Sequence, residues 1–508
     1  MFAKVYSMGI RGMDTFPVEV ETDISTGMPY IDIIGLPDAA VKESKVRVQS
    51  VAANCGLKFP KGRITVNLAP ADIRKEGPVY DLPILLSILC ASGQISSALE
   101  NSVFLGELSL SGEVRPCKGI LPMILGAKEY GFTNVYLPYP NLSEGQISRE
   151  ITSYPVKSIS QLLKHFRTEE RISPCTPSDF MSDKLIHLPD FSDVRGQDFA
   201  KRGMEIAAAG SHNLLMIGPP GSGKSMLAKR IPSILPDMTF SEMLETTKLY
   251  SIAGELDRES GLIQFRPFRS PHHSISVAGL AGGGSIPHPG ELSLAHNGVL
   301  FLDELPEFSR NVMEILRQPL EDGTVTISRA SGSTTFPCSV MLVAAMNLCP
   351  CGYYGHPFKP CRCTETAVRN YLNRISGPLL DRIDLHIEVP PVDFEQLHSR
   401  KKEESSAQIR ERVNASREIQ NRRFQGTSVT CNAKIPSNAL QDVCQLSRQA
   451  ESLLKNAFER LGMSARAYDR ILKVSRTIAD LACSRDIEAE HVAEAMQYRA
   501  LDQKYWNI

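Results

Sequence analysis

The pattern of apolar and polar positions divides the chain into an α/β half, a second α/β segment and a helical tail. In residues 1 to about 165, residues 63–67 (RITVN) have the two-residue alternation of a strand, and 134–138 form another short one. Residues 81–95 are a nearly continuous apolar run of helical length, which predicts a buried helix. Residues 103–115, with Ser111 and Gly112 at the centre, have the pattern of a hairpin. Residues 166–190 carry scattered charge, Ser and Pro with no apolar period and are expected to be a linker. A second α/β segment is expected over 191–390, with buried-strand runs at 213–217 (NLLMI), 298–302 and 340–346 (VMLVAAM). Beyond Pro390 and Pro391 the period becomes helical. It predicts helices over 396–424, with apolar positions at Ile409, Val413 and Ile419, and over 439–461, 468–483 and 486–501.

At 508 residues the chain is too long for one core, and two to four domains are expected. A net charge of −1 means that nucleic-acid binding has to rest on local basic patches. No stretch approaches the ~20 apolar residues of a membrane span. The start, MFAKVYSMGIRGMDTF, lacks the apolar core and small-residue cleavage site of a signal peptide. The expectation is a cytoplasmic chain without membrane association, its 12 cysteines present as thiols or metal ligands. The sequence has no solenoid-period repeat.

The chemistry concentrates after the strand at 213–217. Gly218, Pro219, Pro220, Gly221, Ser222, Gly223, Lys224 and Ser225 fit G-x-x-x-x-G-K-[ST] between a strand and a helical run. The glycines let backbone N–H groups turn toward phosphates at a helix N-terminus. Lys224 supplies charge near the β- and γ-phosphates of ATP, and the Ser225 hydroxyl can ligate Mg²⁺. Downstream, an apolar strand ends in Asp303 and Glu304. Asp303 is expected to hold the Mg²⁺ through water and Glu304 to polarise the attacking water. Asn347 ends the strand 340–346, where it either reaches the γ-phosphate or is a turn residue. Arg382, between two acids in PLLDRID, and Arg466, at the start of a late helix, are either surface ion pairs or charges for a nucleotide.

The order of P-loop, LDE, strand-Asn, LLDRID and SAR-x-Y-x-R resembles the AAA+ ATPases, specifically the magnesium-chelatase-like branch of the ComM/YifB family, over nearly the whole chain. The resemblance implies an N-terminal Lon-protease-like (S5-like) α/β domain over 1–165, a P-loop AAA+ α/β core over 191–390 and a C-terminal helical lid over 391–508. It implies that Asn347 is sensor 1, Arg382 an arginine finger reaching a neighbouring subunit and Arg466 the sensor-2 arginine. Its members are ring-shaped, typically hexameric, DNA helicases that promote branch migration when incoming DNA recombines in natural transformation. Single-stranded and branched DNA and further copies of this chain are therefore the expected partners. The long interval from Lys224 to Asp303 holds residues 265–290, which resemble the branch's loop inserted in helix 2. Residues 324–337 resemble the hairpin before sensor 1 of DNA translocases, with Arg329 near its tip either at a phosphate or merely solvated. His272 and His273 have no third metal ligand beside them and are read as structural or pore-loop residues.

Residues 74–81 resemble the segment that holds Lon's nucleophilic serine, and 106–116 the hairpin before its lysine. Val79 and Leu121 stand at those two positions, and neither can act as nucleophile or base. The domain is therefore expected to be no peptidase. It either binds DNA or partners through Lys42, Lys45, Arg47, Lys58, Lys61 and Arg63, or only buttresses a ring. Cys349, Cys351, Cys361 and Cys363 match structural Zn²⁺ in ligand number and type, although each pair is spaced more tightly than usual. His356 is a substitute for one thiol, and unligated thiols are the alternative. With zinc, Lys359 and Arg362 sit on a rigid knuckle available to DNA. Two functions follow: a DNA translocase, or a chaperone-like remodeller of a protein partner comparable to the ATPase subunit of magnesium chelatase.

Overall fold

The structure is a computed structural model of the chain, and it describes residues 1–95, 99–177, 188–257, 261–284, 287–329, 332–392, 403–461 and 463–506. Two compact units emerge. One comprises Met1–Lys184 with Phe240–Gln264, the other Leu185–Thr239 with Phe265–Ile508.

In the first unit the described residues form a mixed seven-stranded sheet. Its strands are β1 (Phe2–Arg11), β2 (Asp14–Ser25), β3 (Tyr30–Ile34), β4 (Arg63–Ala69), β5 (Ser102–Phe104), β8 (Asn134–Pro138) and β9 (Thr152–Val156), in the order β3-β4-β2-β1-β5-β8-β9. The expected strand at 63–67 is β4, and 134–138 is β8. The predicted hairpin over 103–115 is smaller than the pattern implied. Only β6 (Glu107–Leu108) and β7 (Val114–Arg115) pair antiparallel, while β5 runs parallel to β1 and β8 inside the main sheet. All three residues of β5 are buried, and a strand covered on both faces carries no alternation to distinguish it.

The buried helix is Asp81–Ala91, with every residue buried. It ends four residues earlier than expected, just before Gly93 with its positive φ of 71°. Asp81 is not exposed acid at a helix start. It takes a bidentate bond from Arg47 (2.6 and 2.9 Å) and one from the Leu108 N–H (3.1 Å). Arg47 is thereby withdrawn from the proposed basic patch, whereas Lys42, Lys45, Lys58, Lys61 and Arg63 remain exposed.

The helix Phe240–Ala253 and the described residues from there to Gln264 lie between the P-loop and Asp303 in sequence, yet pack on this first unit. The Gly119 N–H donates to the Ser251 carbonyl (2.9 Å) and Lys118 Nζ to the Ala253 carbonyl (3.2 Å). Buried Glu144 accepts from the Leu121 N–H (2.8 Å), Asn141 Nδ2 (2.6 Å) and the Ser251 hydroxyl. Leu121 itself is buried with Ile147 and Leu262. A lysine there would bring an ammonium into an apolar cluster, so the position read as a lost base is now a packing residue.

In the second unit the described strands β10 (Leu214–Ile217), β11 (Phe268–Arg269), β14 (Val299–Leu302), β17 (Met341–Met346) and β18 (Leu385–Glu388) form a wholly parallel sheet in the order β11-β14-β17-β10-β18. β10, β14 and β17 are buried at every position, as their continuous apolar runs require. Two small ribbons project from it: β12 (Gly282–Gly283) with β13 (His288–Pro289), and β15 (Thr324–Arg329) with β16 (Gly332–Pro337). The second is the hairpin expected over 324–337.

The tail is helical. Ser406–Arg423 starts with a capping box between Ser405 and Gln408, and Ala465–Leu481 is capped by Ser464. The single helix expected over 439–461 is broken. Leu440–Val443 and Arg448–Leu461 are separated where Leu446 bridges to Ile487. The part of the expected helix before residue 403 lies outside the described residues. No helix of the described residues is long and apolar enough to cross a membrane.

Candidate nucleotide site and thiol cluster

The open edge of the parallel sheet builds the site. β10 is flanked by β17 and β18, so loops leaving its C-terminal end enter the crevice where parallel α/β sheets hold ligands. Gly218 leaves β10 with its N–H on the Met346 carbonyl (3.2 Å), and a Cβ on it would lie 2.2 Å from the Val389 carbonyl oxygen. Gly221 and Gly223 take φ of 80° and 93°, and Gly223 caps the helix Lys224–Ala228.

Lys224 lies buried in the loop, donating to the carbonyls of Gly218 (2.8 Å) and Pro219 (2.9 Å) and to Asn347 Oδ1 (3.2 Å). The Ser225 hydroxyl donates to Asp303 Oδ2 at 2.6 Å, and the Glu304 N–H donates to Asp303 Oδ1 at 3.0 Å. The hydroxyl and carboxylate suited to a shared Mg²⁺ are thus already in contact, an oxygen pair of the kind that hard ion takes. Glu304 has φ 53°, in the left-handed region. A non-glycine residue there costs about 1–3 kcal/mol and points to a functional constraint. The residues from Gly218 to Ser225 therefore converge with Asp303, Glu304 and Asn347.

Burial pulls the Lys224 ammonium down to about 8, against the opposing pull of Asp303 and Glu304. A triphosphate recruits the charged form, so binding takes up protons where Lys224 is neutral. Affinity for ATP is expected to be level below pH 8 and to fall by up to about tenfold per pH unit above it. Fluorescent-nucleotide titrations from pH 6.5 to 9.5 check this, and a flat profile contradicts it.

The four thiols of Cys349, Cys351, Cys361 and Cys363 lie within 4.8 Å of one another. Three of the separations are 3.3, 3.7 and 3.6 Å, close to the roughly 3.8 Å edge of a tetrahedron with 2.3 Å Zn–S bonds. His356 is not in this group, and its Nδ1 accepts from the Phe358 and Lys359 N–H groups. The Tyr353 and Arg362 N–H groups pull the Cys351 thiol down to about 6, whereas burial pushes the neighbouring Cys349 thiol up to about 12, so the support for metal lies in the geometry of the four sulfurs. One contact was not legible in sequence. A Cβ on Gly352 would sit 2.5 Å from Pro220, so the thiol loop is seated against the P-loop. Lys359 lies over the Tyr353 ring, and Lys359, Arg362, Tyr354 and Phe358 are all exposed.

Arg382 and Arg466 are elsewhere. Arg382 donates to the carbonyls of Arg317 (2.9 Å) and Pro378 (2.8 Å) and pairs with Glu321, while its own carbonyl accepts from Asn213 Nδ2 (2.7 Å). Arg466 pairs with the adjacent Asp381 at 3.3 Å. Asn213 precedes β10 and the P-loop follows it, so both arginines lie at the opposite edge of the sheet from Lys224. The strand alone separates those edges by about 13 Å. Arg329 is exposed on β15, with its Nε near the Gly284 carbonyl (3.3 Å). Ile327 packs toward Gly282, so the two insertions form one element.

Three family profiles match the chain. "Magnesium chelatase, subunit ChlI" covers residues 190–397, "Subunit ChlI of Mg-chelatase" 20–141, and "Magnesium chelatase, subunit ChlI C-terminal" 403–499. The chain is 43% identical to the "Competence protein ComM" of Haemophilus influenzae over 507 residues, 98% of this chain and 97% of that one. It is 42% identical to the "Uncharacterized protein YifB" of Escherichia coli over 506 residues, 98% and 97% respectively. It is also 29% identical to the "Magnesium-chelatase 67 kDa subunit" of Chlorobaculum tepidum, over 30% of this chain and 22% of that one.

Proposed function

The chain belongs to the ComM/YifB family of magnesium-chelatase-like AAA+ proteins, membership of which implies ATP hydrolysis, and from that premise we propose that it is a ring-forming DNA translocase that promotes branch migration during recombination of incoming DNA. The observation that carries the ring is the separation of Arg382 and Arg466 from the chain's own P-loop. Arg382, beside the exposed Glu321, and Arg466, beside Asp381, are positive side chains suited to a neighbour's phosphates. Both therefore act in trans, Arg382 as the finger and Arg466 as sensor 2.

Within the site, Gly218 to Gly223 wrap the phosphates, Lys224 compensates their charge, and Ser225 and Asp303 hold Mg²⁺. That ion, when bound, neutralises charge on the β- and γ-phosphates. Glu304 draws the proton from the attacking water, and Asn347 orients it. The joined insertions carry Arg329 toward DNA, and the knuckle offers Lys359 and Arg362 with exposed aromatic rings for stacking. Five exposed cations of the first unit, Lys42, Lys45, Lys58, Lys61 and Arg63, add a phosphate-facing surface on a Lon-like domain. Val79 and Leu121 leave it without proteolytic chemistry.

Zn²⁺ fits the thiol cluster. Stripping it with a chelator, or Cys351→Ser, is expected to loosen the loop against Pro220 and weaken ATP binding severalfold. Metal analysis alongside nucleotide titration checks this. One zinc per chain with unchanged affinity on its removal contradicts the coupling, and no zinc contradicts the site.

The function is tested with a branched DNA substrate. ATP-dependent movement of the junction by the wild-type chain, absent in Glu304→Gln, is the expected result. The partial likeness to a magnesium-chelatase subunit favours a second reading, remodelling of a protein partner. Active ATP turnover with no junction movement would transfer the assignment to it.

A further inference from the structure

His273 reaches Glu304 from the loop that follows the neighbouring strand. β11 and β14 run parallel with Phe268 opposite Val299 and Arg269 opposite Leu300. Both strands end soon after these pairs, and the loop that follows β11 and the turn that follows β14 leave His273 and Glu304 side by side. The side chains follow: His273 Nδ1 lies 3.9 Å from Glu304 Oε2. The spacing is beyond a hydrogen bond and becomes one with a small rotation of either side chain.

The imidazole is held from two sides. The His272 ring lies 4.0 Å from it, centroid to centroid, and the buried Phe308 ring meets it edge-on at 6.4 Å. His272 is fixed in turn by the Ser274 hydroxyl (2.8 Å), and β11 is anchored by the bidentate pair of Arg269 with Glu291 (2.7 and 2.6 Å). Glu304, by contrast, is exposed and stands on a left-handed backbone. A carboxylate that must meet one water benefits from a neighbour that narrows its rotamers.

We propose that His273 is the positioning residue for Glu304, holding the carboxylate in the orientation from which it takes the proton of the attacking water. The inference rests on the ATPase reading of the site and specifies how its base is oriented. His273→Ala is expected to lower kcat on the order of tenfold, with KM for ATP and nucleotide affinity within about twofold of wild type. His273→Gln, which keeps a hydrogen-bonding group near the carboxylate, is expected to recover most of the rate. In a Glu304→Gln background His273→Ala is expected to have no further effect.

The rates are measured without DNA, on chains with matched thermal unfolding. An unchanged kcat, a loss that appears in KM, equal losses for Ala and Gln, or a further loss in the Glu304→Gln background each overturns the proposal. Failure of the DNA reading has a separate signature, wild-type turnover that DNA leaves unaltered.

Discussion

Arg382→Ala is expected to bind ATP with wild-type affinity and to lose turnover by roughly 10³–10⁵, the range over which finger arginines act. Charge on the transferring phosphoryl group grows toward the transition state, and a guanidinium placed there stabilises it more than the ground state. Within one chain Arg382 is held by the Arg317 and Pro378 carbonyls and by Glu321, at the sheet edge away from Lys224. In the proposed ring, Arg382 would exchange the exposed Glu321 for a neighbour's phosphates. The loss is therefore a loss of kcat. Mixing Arg382→Ala with Lys224→Ala chains is expected to restore part of the turnover, because some interfaces then combine an intact P-loop with an intact arginine. Mixed rings no more active than either parent would assign the finger to another residue.

Glu304→Gln is expected to lower the hydrolytic rate by about 10²–10⁴ while ATP stays bound. The amide keeps the size of the side chain but cannot accept the water's proton. Lys224, Ser225 and Asp303 are untouched, so the phosphate cradle remains. In the proposed ring, held ATP would keep each site bridged to its neighbour, and the assembly is expected to persist at dilutions that dissociate the wild type. Single-turnover hydrolysis and size-exclusion chromatography with ATP read both effects. A rate within a few-fold of wild type would remove Glu304 from the chemistry.

What could be read from sequence was local. The P-loop was legible because its φ requirements, its lysine and its flanking strand and helix occupy consecutive positions, and the structure brings Asp303, Glu304 and Asn347 to it from the strands marked by apolar runs. The hairpin 324–337 was legible from its own alternation. Elements that depend on distant partners were not. The strand β5 lies in the sheet through β1 and β8, and the predicted helix over 439–461 is interrupted because Leu446 pairs with Ile487. The docking of Phe240–Ala253 on Leu121, Glu144 and Gly119 joins residues more than a hundred positions apart. Gly352 against Pro220 spans a similar separation, and His273 beside Glu304 joins the segments after two neighbouring strands that no local pattern pairs. Each of these is a contact of the catalytic residues or of the N-terminal unit that no motif encodes.

A motor whose ATP cycle is coupled to DNA is tested most directly by ATP hydrolysis of the purified chain at fixed salt, alone, with single-stranded DNA and with branched DNA. Strong stimulation by DNA that disappears in Glu304→Gln is the expected result. Normal basal turnover that no DNA stimulates at any salt concentration would contradict it.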